Sequence, residues 1–285
     1  MKNSIYILAS LWILGSACDS ETVADKETND TTDDVQISDN QEVGGDLDNP
    51  GDIQDSLLLD NGILIRWYQH GNGAKLQKGE MISIDYKVLL DNGTVVDGNH
   101  LLKKQSLPFM VGFGMQTPGW DIAMKELKVG DFVEIYLPSE YARGEKGVKG
   151  LIPPNSSNIL KVRVLDRKKS TRQIEGNKVW LFEENPSQQE KFDENNQIEF
   201  HCMASTASSP FYVNTFRTGK PFTLKFEDHG TVPGLKKALI NAKTADRMYI
   251  LVPASQAYGS SGYQDLVKPN EDILYNVLVM SVMDE

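Results

Sequence analysis

The chain repeats itself: two stretches of similar length carry the same succession of short alternating segments, glycine-containing turns and one brief helical pattern. No other feature of the sequence narrows the possible folds as much. In the first stretch, residues 63–68 alternate like a strand, Gly71-Asn72-Gly73 marks a turn, and residues 81–90 alternate again up to the turn at Asp91-Asn92-Gly93. A short helix is expected over residues 120–127, opening after Pro118-Gly119 and closing before Val129-Gly130-Asp131. Residues 132–137 and 158–165 complete the set of strands. The second stretch predicts strands over 178–182, 197–203, 222–226, 247–252 and 273–280, with a helix over 235–240. Alternation of period two bounded by Gly and Asn is the pattern of antiparallel pairing. The expected class is therefore α+β, in two tandem units, each a bent antiparallel sheet wrapped on a short helix. A unit of about 110 residues is large enough to bury its own core.

What precedes the repeats has another character. Lys2 is followed by an apolar run over residues 5–14, then Gly15, Ser16, Ala17 and Cys18. The run is too short to span a bilayer and reads as an export signal over residues 1–17. It resembles a bacterial lipoprotein signal, which implies lipid on Cys18 as the new N-terminus. Leu14 stands one place further from the cysteine than that signal prefers, and an ordinary cleaved signal with an incidental cysteine is the alternative. Residues 19–60 hold 14 Asp or Glu against one Lys, so a whole-chain charge of −11 leaves the remainder near +2. The acidity belongs to a flexible tether over 18–55, and a near-neutral folded part excludes nucleic acid as a natural partner. Cys202 is the only other cysteine. With Cys18 lipidated no intramolecular disulfide can form, and Cys202, in a strand-like stretch, is expected to be a small buried hydrophobe. His70, His100, His201 and His229 show no ligand spacing, so neither metal nor other cofactor is expected.

The words of the first repeat are more specific than its periodicity. Pro108-Phe109-Met110-Val111-Gly112, Pro118-Gly119-Trp120-Asp121, Val129-Gly130-Asp131 and Gly150-Leu151-Ile152-Pro153-Pro154-Asn155 follow one another. Upstream, Ile82-Ser83-Ile84-Asp85-Tyr86 leads through Asp91-Asn92-Gly93 to Val96-Asp97. This order and spacing resembles the FKBP-type peptidyl-prolyl cis/trans isomerases. The resemblance implies two FKBP-like domains, over 56–169 and 170–285, acting on proline-containing polypeptides. It implies Trp120 as the floor of a pocket, Tyr86, Phe109, Ile152 and Leu160 as walls, Leu107 as an alternative to Phe109, and Asp97 at the rim. The N–H of Thr117 would hold the substrate carbonyl. Arg143 stands where the family has a tyrosine that donates to the substrate, and Gln116 and Thr117 replace a pair of branched apolar residues. A guanidinium can still donate, but it is charged and longer.

The second repeat keeps another part of the pattern: Lys220-Pro221-Phe222, Val232-Pro233-Gly234-Leu235, Ala257-Tyr258-Gly259 and Pro269-Asn270. By the same resemblance Phe222, Val232, Leu235, Tyr258, Val267 and Tyr275 would line a pocket. Val213 stands at the place of the aspartate, Leu235 at that of the tryptophan and Cys202 at that of the strand tyrosine, which makes this a degenerate copy. The expected function is an isomerase and folding helper held by a lipid anchor in the bacterial cell envelope, at the outer membrane facing the periplasm or the surface. Its rival is a noncatalytic peptide-binding or assembly lipoprotein.

Overall fold

The computed structural model describes residues 47–284. The expected signal, Cys18 and most of the expected tether lie outside the described residues. Seven strands form the first sheet: β1 (Asp55–Leu58), β2 (Leu64–Gln69), β3 (Met81–Leu89), β4 (Val95–Gly98), β5 (Leu107–Met110), β6 (Phe132–Leu137) and β7 (Asn158–Arg167). They run antiparallel in the order β1-β2-β6-β7-β3-β4, with β5 sharing one edge of β3 with β4. A short helix, α1 (Pro118–Met124), lies between β5 and β6 in the chain. The second unit comprises β8 (Arg172–Ile174), β9 (Asn177–Glu183), β10 (Asn196–Ser205), β11 (Val213–Asn214), α2 (Thr215–Thr218), β12 (Phe222–Lys225), α3 (Pro233–Leu239), β13 (Arg247–Val252) and β14 (Ile273–Asp284). Its order, β11-β10-β14-β13-β9-β8 with β12 on β10, is the first sheet read from the other end.

The repetition extends to single hydrogen bonds. Gly130 N donates to Val164 O and Val164 N to Asp131 O; Ala245 N donates to Val279 O and Val279 N to Asp246 O. Helices α1 and α3 both begin with Pro-Gly for a steric reason. Proline at the first turn gives up an N–H that has no helical partner. A Cβ on Gly119 would come within 2.6 Å of Leu137 Cδ2, and one on Gly234 within 2.5 Å of Val252 Cγ1, so only glycine lets the helix lie this close to its sheet.

Helices α1 and α3 start and end earlier than the sequence pattern suggests. After α1 the chain continues in tighter turns, Glu126 N to Ala123 O and Leu127 N to Met124 O, which bury the same residues without helix. Strands β1, β4, β5, β8 and β11 and helix α2 were not expected. None exceeds four residues, too few to display a period. Residues 47–55 fall in the stretch expected to be tether, yet they are folded onto the first unit. Leu47 is buried with Tyr68 and Phe132, Asp48 accepts from Lys87 Nζ at 2.6 Å, and Gln54 N donates to Trp67 O.

The outer faces of the two sheets differ in kind. Register positions that hold Arg66, Lys87, Glu134 and Lys161 in the first sheet hold Trp180, Met203, Tyr249 and Asn276 in the second. Trp180, Tyr249, Leu251 and Leu274 are buried in one continuous apolar cluster with the core of the first unit. The outer face of the second sheet therefore packs on the first unit. Burying one such aromatic is worth roughly 4–6 kcal/mol before ordering entropy is subtracted. Trp180 Nε1 donates to Lys168 O at 2.8 Å and Lys104 pairs with Glu183 at 3.1 Å beside this contact.

Candidate active site

In the first unit β3 supplies Tyr86, β4 Asp97, β5 Phe109 and α1 Trp120. The ring of Trp120 meets Tyr86 edge-on, 5.1 Å between centroids and 80° between planes, and lies 5.7 Å from Phe109 at 31°. Leu107, Ile152 and Leu160 are buried in the same cluster. Of the two alternative wall residues on β5, Phe109 is in ring contact with Trp120, while Leu107 pairs with Ile84, nearer Tyr86 along β3.

The polar corner is fixed by the chain crossing from β4 to β5. Asn99 Oδ1 accepts from Tyr86 N at 2.7 Å, and the Asn99 amide donates to Lys104 O and Gln105 O, which folds the crossing back over β3. Asp97 is thereby set against Tyr86, its Oδ1 accepting from Tyr86 Oη at 3.3 Å and Gly98 N at 2.8 Å. Asp97 is only 3% exposed. Burial raises its carboxyl pKa above the ordinary value, opposed by the Gly98 N–H, the Tyr86 hydroxyl and the charge of Arg143. Burial also drives the Tyr86 phenol well up, and it lowers the Arg143 guanidinium while Asp97 supports the charge.

Two of the sequence departures turn out to be partners: Arg143 Nη2 donates to Gln116 Oε1 at 3.2 Å. No local pattern announces this pairing, because 27 positions separate the two. Thr117 is the N-cap of α1. Its Oγ1 is buried without a hydrogen-bond partner, and its N–H has no acceptor among the described residues. The loop of residues 112–117 leading to it is gathered by Asp121, whose carboxylate accepts from Gly112 N at 2.9 Å and Gly114 N at 2.7 Å.

A site of this kind needs no nucleophile to turn a proline bond. Amide resonance holds peptide bonds planar with a barrier of about 18–20 kcal/mol, and X-Pro exchange takes roughly tens to hundreds of seconds unaided. A twisted amide has lost that resonance and is less polar, so an aromatic, water-poor pocket with one free N–H for the carbonyl favours it over either planar form.

The second unit has a hollow at the corresponding place, a cavity of about 360 Å³. Phe222, Val232, Leu235, Tyr258 and Tyr275 line it, as the resemblance implies; Val267 is buried behind them, bridged to Tyr263. Tyr212, Tyr263 and Leu266 also belong to the wall and were not expected. Tyr263 stacks on Tyr258 at 4.7 Å, a pairing between loop residues that no periodicity announces. Cys202 N donates to Thr215 Oγ1 at 2.7 Å, reproducing the Tyr86–Asn99 bond with Cys202 in the tyrosine's place. Val213 accordingly occupies the position of Asp97, and among the described residues no Asp, Glu, Lys or Arg lines this cavity. Burial raises the phenols of Tyr212, Tyr258 and Tyr275, so all three stay neutral.

Burial also pushes the Cys202 thiol up to about 12. Since the thiolate is the reactive form, iodoacetamide at neutral pH should leave Cys202 unmodified in the native protein and label it only as denaturant opens the second unit. Mass spectrometry of partly denatured samples checks this; rapid labelling without denaturant would contradict it.

Two sheets of one strand order, each curled on a short helix, the first over a buried aromatic cluster and the second over an aromatic hollow, define a tandem pair of domains of the prolyl-isomerase type. Residues 72–165 and 188–280 match the model of the FKBP-type peptidyl-prolyl cis-trans isomerases. With more than half of its length matched, the chain belongs to that family. FK506-binding protein 1 of Saccharomyces cerevisiae is 33% identical over 113 residues, 39% of this chain and 96% of the relative. The FK506-binding protein of Neisseria meningitidis is 35% identical over 104 residues, 36% of this chain and 94% of the relative. The peptidyl-prolyl cis-trans isomerase Mip of Coxiella burnetii is 33% identical over 111 residues, which cover 47% of Mip. Among solved structures, the three FKBP domains of wheat FKBP73 align with 79% of this chain at 22% identity and a TM-score of 0.39.

Proposed function

We propose that the first domain is the working isomerase, that the second binds chains without turning them, and that the protein serves as a folding helper tethered by lipid in the bacterial cell envelope. One observation carries the assignment of the active domain. Tyr86, Asp97 and Trp120 form a single contacting group in the first domain, while the equivalent places in the second hold Cys202, Val213 and Leu235. The envelope reading rests on the succession Lys2, apolar run, small residues and Cys18, followed by the acidic stretch.

Magnetisation exchange between cis and trans forms of a proline peptide tests the first part. The full-length protein should accelerate exchange, and Asp97→Ala should slow it by about tenfold, the order expected for one misplaced polar group. Absence of acceleration by the intact protein would reject the isomerase reading. Tight peptide binding without exchange would instead favour a docking lipoprotein, the reading supported by the uncharged cavity of the second domain and the charged Arg143 in the first. For the envelope part, Cys18→Ser should move the protein from the membrane fraction to the soluble one; unchanged fractionation would remove the lipid anchor.

A further inference from the structure

We propose that the second domain is a positioning part of the first domain's active site: its outer sheet face and the turn at Pro210 and Phe211 fix the loop of residues 112–117, and with it the Thr117 N–H. This rests on reading the first domain as the working isomerase.

The loop is held from two sides. From within, Asp121 accepts its Gly112 and Gly114 N–H groups, and Met115 Sδ accepts from Met110 N. From without, the second domain closes on it. Met115 shares a small cavity with Met203, Phe211, Tyr249 and Leu274, and Phe113 and Met115 are both buried. Gly114 has φ +62° and faces Pro210 so closely that a Cβ on it would stand 2.6 Å from Pro210 Cβ. No looser packing of this turn on that loop would put such a limit on the glycine.

The turn itself is held in a costly shape. Phe211 has φ +50°, a region a bulky side chain rarely enters. Phe211 N donates to Ser205 Oγ at 2.9 Å, and Thr206 Oγ1 accepts from Ser208 N and Ser209 N. Such strain persists only where surrounding contacts over-determine it, and it gathers at functional places. The apolar outer face makes the same point at the scale of the sheet. A lone domain needs only one apolar sheet face, as the charged Arg66, Lys87, Glu134 and Lys161 of the first domain illustrate. Trp180, Met203, Tyr249 and Leu274 give the second domain a second apolar face, and that face covers the side of the first domain where the carbonyl-holding loop lies. Because the N–H of Thr117 lies at the end of this loop, its placement depends on residues that never meet substrate.

The test uses the full-length protein in three variants. Phe211→Gly removes the ring and relaxes the positive φ; Pro210→Gly removes the contact with Gly114 at an exposed position; Phe211→Tyr keeps the ring. Isomerisation of a proline peptide gives kcat and KM, and amide hydrogen exchange without peptide reports on Gly112 and Gly114, whose N–H groups Asp121 holds. Both glycine variants should lose about tenfold in kcat with KM changed less than about twofold, as expected when a remote change misplaces a group used in the transition state. Exchange at Gly112 and Gly114 should quicken in both, and Phe211→Tyr should keep kcat and protection at the parental level. Wild-type kcat and wild-type exchange in both glycine variants would overturn the proposal. An inactive parent protein would sink the isomerase reading alone, since the exchange data still decide whether the second domain holds the loop. Should Phe211→Gly fail to fold, Pro210→Gly decides.

Discussion

Full-length protein carrying Asp97→Val together with Trp120→Leu, the residues its own second domain uses, is expected to lose about a hundredfold in kcat/KM for a proline peptide. Tyr258→Ala, which opens the second cavity, is expected to change kcat/KM by less than about twofold. The first pair of changes removes the acceptor of the Tyr86 hydroxyl, the carboxylate that supports the Arg143 charge, and the indole touching both Tyr86 and Phe109. The fold should survive, because the second domain carries the same residues at the same positions over the same sheet order. Circular dichroism separates loss of fold from loss of site. If the double variant keeps parental kcat/KM, the working site is not in the first domain; a collapse with Tyr258→Ala would move it to the second.

The largest effect on stability is expected away from the pocket, at Asp131. Its carboxylate accepts from Trp67 Nε1 at 3.0 Å, Gly71 N at 2.6 Å and Lys128 N at 2.9 Å, and the residue is 1% exposed. Gly71 must be glycine for this arrangement, since a Cβ there would stand 2.1 Å from Val129 O. Asp131→Ala strands three donors, one buried and two partly buried, each hydrogen bond to a charged acceptor being worth about 1.5–3 kcal/mol. With partial rescue by water, a loss of about 4 kcal/mol is expected from urea unfolding of the first domain. Asp131→Asn retains an oxygen for part of the set and should cost clearly less. Equal stability of Asp131→Ala and the parent would mean that these donors find other partners and that the turn is not built on this carboxylate.

Much of the architecture was legible beforehand because its signals are local. Alternation along residues 81–89 and 132–137 placed β3 and β6, and Pro-Gly marked both helix starts to within two residues. The candidate site residues of the first domain were named through motifs whose order and spacing resemble a known family, rather than through any property of the residues singly, and the structure brings Tyr86, Asp97, Phe109 and Trp120 into contact. Elements of four residues or fewer escaped, since two or three side chains cannot establish a period. Residues 47–55 escaped for a different reason. A few single contacts, among them those of Leu47, Asp48 and Gln54, dock an otherwise acidic stretch, and composition averages such contacts away.

By itself the sequence determined that there are two copies of one α+β unit, which residue types stand at each pocket position, and that the second copy has no carboxylate or tryptophan where the first has both. These follow from chain order, which a linear text preserves. Only the tertiary structure decided that Arg143 reaches Gln116, that Tyr263 covers Tyr258, and that the outer face of the second sheet is buried on the first domain. The physical reason is that alternation assigns a side chain to a face but carries no information about what covers that face. The apolar run Met248-Tyr249-Ile250-Leu251-Val252 announces burial on both sides of β13, and the partner on each side is fixed by contacts distant in the chain.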